Sequence, residues 1–143
     1  MTFKSRKDIL FQSIFIVIIS FFIGVLLVRV FKDGIANYTF IWADIFLVLL
    51  PVFLIWLDIE TKYELTQTEL IYKSGPVNGK INIDKIKEII KDKTLWVGLK
   101  PATARKGLII KYGYDEIYIS PKTNDTFINE ILKLNNRIKI TQG

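Results

Sequence analysis

Two long apolar stretches near the N-terminus constrain this chain more than any other feature. From Ile9 to Val28 the only polar side chains are Gln12, Ser13 and Ser20. From Thr39 to Leu57 they are Thr39 and Asp44. Each stretch has about 20 residues, which as a helix rising about 1.5 Å per residue spans roughly 30 Å, the hydrocarbon thickness of a bilayer. Neither carries a polar stripe at a 3.6-residue period, so neither reads as an amphipathic surface helix. A chain of 143 residues cannot easily bury two all-round apolar helices in a soluble core. A cleaved signal peptide fits the first stretch poorly. The run is longer than a usual signal core, no small-residue cleavage site follows, and a second apolar run comes soon after.

The two stretches therefore predict a transmembrane helical hairpin over residues 1–57, with spans at about 9–28 and 39–57. Its loop runs from Arg29 to Tyr38, with a turn signal at Gly34–Asn37. Trp42 and Trp56 sit near the two ends of the second span, where aromatic side chains meet the interface. The N-terminal tail carries Lys4, Arg6 and Lys7. This basic bias favours both termini in the cytoplasm and the hairpin loop outside. Asp44 lies inside the second span, and an intramembrane carboxylate is by default a candidate functional group. Its closeness to the outer end favours hydration or pairing with Lys32. Pro51 is tolerated in a spanning helix and is expected to kink it.

From Asp58 onward alternation replaces the long apolar runs. Tyr63 and Leu65, then Leu70 and Tyr72, alternate with polar residues around Thr66–Thr68, which reads as a β-hairpin. Gly75-Pro76 and Asn78-Gly79 are turn signals, and Ile81 and Ile83 continue the alternation. The stretch from Ile86 to Ile90 fits a strand or a helical turn. Leu108, Ile110 and Tyr112 alternate, Gly113 breaks the run, and Ile117 and Ile119 resume it. Six or seven short strands of this kind predict an antiparallel sheet or small barrel over residues 58–143. The end changes period. Ser120-Pro121 reads as a helix start, and Phe127, Ile128, Ile131 and Leu132 recur at helical spacing over about 121–136. Ile138 and Ile140 trail off as an extended tail.

A strand-rich module ending in one amphipathic helix resembles the pleckstrin-homology (PH) fold. The segment from Pro101 to Tyr112 (PATARKGLIIKY), followed by Ile119-Ser120-Pro121-Lys122 and Phe127, is similar to the bacterial YyaB-like PH domain family. The likeness covers roughly 58–140. It implies an α+β protein with membrane helices, in which the hairpin precedes a PH-like antiparallel β-barrel capped by a C-terminal helix. It also implies residence in the bacterial cell membrane, since members often carry one or two spans before the domain. One role attached to this architecture is self-immunity to a bacteriocin, an antimicrobial peptide of the sublancin type. A membrane-tethered adaptor with no toxin involved is the alternative.

The chain has no His and no Cys. That removes disulfides, thiolate nucleophiles, Cys/His zinc sites and His-dependent triads. Asp115 and Glu116 are neighbours on a strand and point to opposite faces. Asp84, Glu88 and Asp92 are spaced for one helix face, but the Lys residues among them fit a solvated charged surface better. No Gly-rich phosphate loop is present. The expectation is therefore a binding protein and not an enzyme, with no cofactor and no metal. Scattered Lys argues against nucleic acid. The loop at Thr66–Thr68 holds no basic residue, unlike the corresponding loop of phosphoinositide-binding PH domains. The basic cluster lies elsewhere, at Lys91, Lys93, Lys100, Arg105 and Lys106, interleaved with Trp96. Trp96, Lys100, Arg105 and Lys106 form the candidate binding surface. It lies on an anionic leaflet of the lipid bilayer or meets an acidic or aromatic partner, or else it is an ordinary loop with Trp96 folded back over the barrel mouth.

Overall fold

The structure, a computed structural model, describes residues 1–34, 37–95 and 102–143. Strand β1 (Thr2–Lys4) comes first. The two apolar stretches then form α1 (Ile9–Asp33) and α2 (Trp42–Glu60), and the sheets follow. No residue of α1 is buried, and in α2 only Asp44 and Pro51 are. The mean hydropathy of their most apolar windows is 2.9 and 2.1, respectively. At about 1.5 Å per residue both reach across a bilayer core. Their outward side chains, such as Val17, Phe21, Phe46 and Val52, are apolar and exposed. In water such a surface is untenable, and the chain is membrane-associated.

The first helix outlasts its apolar run. Arg29 and Lys32, expected in the loop, lie on the last turns of α1, which ends at Gly34 in the left-handed region (φ 75°). This moves Arg29 alongside α2. Asp44 accepts from Arg29 Nη1 and from the Ile41 backbone N–H at 2.8 Å, and Arg29 also stacks 5.5 Å from the centre of the Tyr38 ring. Asp44 thus pairs with Arg29 and not with Lys32, and it is 2% exposed instead of hydrated. A buried carboxylate is stable there because a cation and a backbone donor both satisfy it.

The rest of the chain builds two four-stranded sheets. In the first, β1, β2 (Lys62–Leu65), β3 (Glu69–Ser74) and β4 (Val77–Asn82) lie in sequence order, all antiparallel. A short 3₁₀ turn at Ile83–Lys85 leads to β5 (Ile86–Lys93), so the Ile86–Ile90 stretch is a strand. The second sheet has the order β7 (Asp115–Ile119), β6 (Gly107–Tyr112), β5, β8 (Lys139–Gln142). The expected tail at Ile138–Ile140 is therefore the edge strand β8, and it runs parallel to β5. The sheets do not close into a continuous barrel. They meet at one corner, where Ser5 bridges to Pro121.

Helix α3 (Asn124–Leu134) covers the sheets with Phe127, Ile128 and Ile131. Those residues join Tyr63, Leu70, Ile89, Leu108, Ile110 and Ile119 in one core. The alternation seen in the sequence explains this, since residues two apart on a strand face the same side. The helix starts three residues later than Ser120-Pro121 suggested. Pro121 is used in the corner bridge, and Thr123 takes the N-cap position.

Candidate functional site

The residues between β1 and α1 build the junction from which the candidate site grows. Ser5 is its hub. Its Oγ lies 2.8 Å from Ser120 Oγ, 2.9 Å from Thr103 Oγ1 and 3.2 Å from Tyr63 Oη. Thr103 Oγ1 donates to the Arg6 carbonyl at 3.0 Å, and the Ser120 N–H donates to Tyr63 Oη at 3.0 Å. Burial pushes the Tyr63 hydroxyl above its ordinary range, with the bonds from Ser5 and Ser120 working the other way. The hydroxyls are spent on one another and on the backbone, so the cluster fastens strands together.

The next three residues turn outward. Arg6 Nη2 donates to the Arg105 carbonyl and, at 2.7 Å, to the Lys106 carbonyl. Lys7 Nζ meets Asp58 Oδ2 at 2.5 Å, and Gln12 Nε2 meets Asp58 Oδ1 at 2.6 Å. Asp8 caps α1 by accepting from the Leu10 N–H at 3.3 Å, and its Oδ2 takes Arg105 Nε at 2.7 Å. The Arg105 guanidinium holds the Asp8 carboxyl below the usual carboxylate range. Burial works against this shift, and bonds from the Leu10 and Arg105 N–H groups add to it.

Between these residues lies an open cleft of 740 Å³. Arg6, Lys7, Arg105 and Lys106 line it, with Asp8 and Asp92 as the carboxylates and with Ile9, the first residue of α1, among the lining residues. The far wall is held by Asn124, whose Nδ2 donates to Asp92 Oδ1 at 2.7 Å and to the Lys106 carbonyl at 2.9 Å. Asp92 and Lys106 both have left-handed backbone, with φ of 60° and 50°. Such angles are uncommon outside glycine and need local support. Asp92 sits where the β5–β6 register shifts, and Lys106 N–H is held by Thr94 Oγ1 at 2.9 Å. The residue after Lys106 has to be Gly107. A Cβ there would collide with the Ile119 carbonyl and the Tyr118 ring, and its N–H donates to Tyr118 Oη at 2.9 Å.

Arg105 and Lys106 of the expected surface therefore come together on this cleft, while Trp96 and Lys100 lie outside the described residues. Lys91 points to Asp125 at 2.6 Å and does not line the cleft. Asp44 belongs to the far end of the helical hairpin. Asp84, Glu88 and Asp92 share no helix; the first is in the 3₁₀ turn and the others are on β5. Glu88 is occupied by Lys111 at 3.1 Å and by Thr141 Oγ1 at 2.6 Å. Sequence reasoning missed Arg6, Lys7 and Asp8 as cleft residues. The cations themselves were visible, but nothing local ties them to residues about a hundred positions on.

Residues 61–135 match the model of a family described as "Bacterial PH domain". The span runs from the start of β2 to the end of α3, so β1 and β8 lie outside it. The chain is also 33% identical over 98 residues to the uncharacterized protein YyaB of Bacillus subtilis (strain 168), covering 67% of each protein. No solved structure matches it. A family match over more than half the chain and a relative at this identity agree with the two sheets and the covering helix: the chain belongs to the bacterial PH domain family.

Proposed function

We propose that this chain is a non-enzymatic binding protein anchored in the cell membrane, with both termini and the PH-like domain in the cytoplasm. Its proposed role is self-immunity to an antimicrobial peptide. The observation that carries the reading is the junction. The membrane hairpin leaves and re-enters the same sheet, between β1 and β2, so the open cleft stands at the foot of α1. A binding surface fixed there acts at high effective concentration on anything that reaches the inner membrane face. The cations at that end (Lys4, Arg6, Lys7, Arg105 and Lys106) agree with a cytoplasmic placement. A chain without His or Cys also favours binding over catalysis.

Growth of a sensitive bacterium in a dilution series of the cognate peptide tests the role. Full-length protein is expected to raise the inhibitory concentration, and Arg105→Gln with Lys106→Gln is expected to abolish the protection without lowering abundance. Equal inhibitory concentrations with and without the protein, at confirmed expression, sink the immunity role and leave a membrane adaptor. The topology has its own test, because the native chain holds no Cys. A Lys122→Cys variant should resist an impermeant thiol reagent added to intact cells, and labelling from outside would reverse the orientation.

A further inference from the structure

The cleft carries more positive charge than its own carboxylates neutralise. Asp8 is taken by Arg105 at 2.7 Å, and Lys7 reaches Asp58 at 2.5 Å. Asp92 accepts from Asn124 at 2.7 Å and from Gln142 Nε2 at 3.1 Å, and its charge is met by Lys91 at 3.9 Å, outside the cleft. Two cations remain. Arg6 is bonded to two backbone carbonyls and forms no close ion pair among the described residues, the Asp92 carboxylate feeling its charge only at longer range. The Lys106 ammonium has no hydrogen-bond or ion-pair partner among them either, and it is exposed. Both residues line the cleft, where the Arg6 guanidinium rests on the backbone carbonyl of Lys106 at 2.7 Å. A cleft lined by more cations than carboxylates attracts an anion.

The size and position of the cleft narrow the anion. Its 740 Å³ falls within the roughly 300–1,000 Å³ of small-ligand sites. Ile9 lines it and also opens the apolar run of α1. A helix that enters hydrocarbon at Ile9 puts Arg6 and Lys7 at the depth of lipid phosphates, where basic side chains favour anionic lipid.

We propose that this cleft binds a phosphate group, with Arg6 and Lys106 as its counter-charges, and that in the membrane this phosphate belongs to an anionic phospholipid headgroup. The lipid source rests on the membrane placement proposed above. The site differs from the β2–β3 turn at Thr66–Thr68, which offers no cation.

Titration calorimetry on the full chain in a non-ionic detergent tests it, with three probes: short-chain phosphatidylglycerol, short-chain phosphatidylcholine and inorganic phosphate. Phosphatidylglycerol is expected to bind more tightly than the other two. Lys106→Gln should weaken it about five-fold, as expected for one cation lost near an anionic surface. Lys80→Gln, on β4, should change nothing. Inorganic phosphate binding as tightly as phosphatidylglycerol, and equally weakened by Lys106→Gln, supports the phosphate site and assigns it to a soluble anion. Phosphatidylcholine matching phosphatidylglycerol, or no effect of Lys106→Gln, overturns the site. Carbonate extraction of the expressed chain separates this from the membrane placement. A chain retained in the membrane but without anion preference loses only the cleft, whereas a chain released to the supernatant loses the placement.

Discussion

Ser5 is the residue at which the membrane part and the sheet part of the chain meet. Its hydroxyl is shared among Tyr63, Thr103 and Ser120, all in a region closed to water. Removing it strands buried polar groups, which costs more than the bond alone. Ser5→Ala is therefore expected to destabilise the full chain by about 1–3 kcal/mol in denaturant unfolding; a loss below about 0.5 kcal/mol, the lower edge of a single net hydrogen bond, would mean the cluster holds nothing. Asp8 gives a pH signature. Arg105 first, and the bonds from Leu10 and Arg105 N–H groups after it, outweigh burial and lower its pKa below 3.8. A folded pKa below the unfolded one means stability that is present above the unfolded value and lost as pH falls through the folded one. Unfolding followed from about pH 5 to about pH 3 should thus show a steeper decline in the wild type than in Asp8→Asn; identical slopes would contradict the Asp8–Arg105 pair. Arg105 and Lys106 were legible in the sequence because they are adjacent and basic. Arg6 was not, because its partners lie 99 and 100 residues away and a basic tail before an apolar run has a simpler explanation in topology.

At the scale of elements, α3 completes the core of the sheet domain. Phe127 is fully buried and meets Phe3 edge-on at 5.2 Å between ring centres. Phe127→Ala should cost about 3–5 kcal/mol, since it removes a large side chain from a core that cannot fully collapse. The check is the unfolding midpoint of the full chain, and a loss under about 1 kcal/mol would show that the helix does not pack on the sheets. The helix, the β2–β3 hairpin and the β6–β7 hairpin were readable from period and turn residues, because each contains its own signal. Strand β1 was not. It has three residues and one apolar side chain, Phe3, too short for a period to appear, and it exists only because β2 offers an edge. The parallel pairing of β8 with β5 was hidden for the same reason. Pairing is a long-range event, and four residues with one apolar side chain, the exposed Ile140, do not announce a partner some fifty positions earlier.

Over the whole molecule, the membrane hairpin is an insertion between two adjacent strands of one sheet and not a leader placed before a separate domain. A change of composition at Asp58 marks where the apolar stretch ends, and it was visible in the sequence. It does not mark where the sheet domain begins, because residues 2–5 are part of that domain too. The consequence is mechanical. Both ends of the hairpin are clamped, α1 through Asp8 and Arg105 and α2 through the single residue Thr61 that leads into β2. The domain therefore has one fixed attitude to the helices, and the cleft is held at their foot. A disulfide across β1 and β2 tests this most directly. Lys4 and Lys62 are register partners, and the bonds between Ser5 and Thr61 and between Leu65 and Met1 make theirs a non-hydrogen-bonded position. Cα atoms are about 4.5 Å apart at such sites, close enough for a disulfide. The native chain has no Cys to interfere. Lys4→Cys with Lys62→Cys, oxidised in the membrane, should form an intramolecular disulfide almost completely, while Lys4→Cys with Lys80→Cys, three strands apart, should not. Equal cross-linking of the two pairs, or none in the first, would mean that the N-terminal residues are a free tail and that the domain is only tethered.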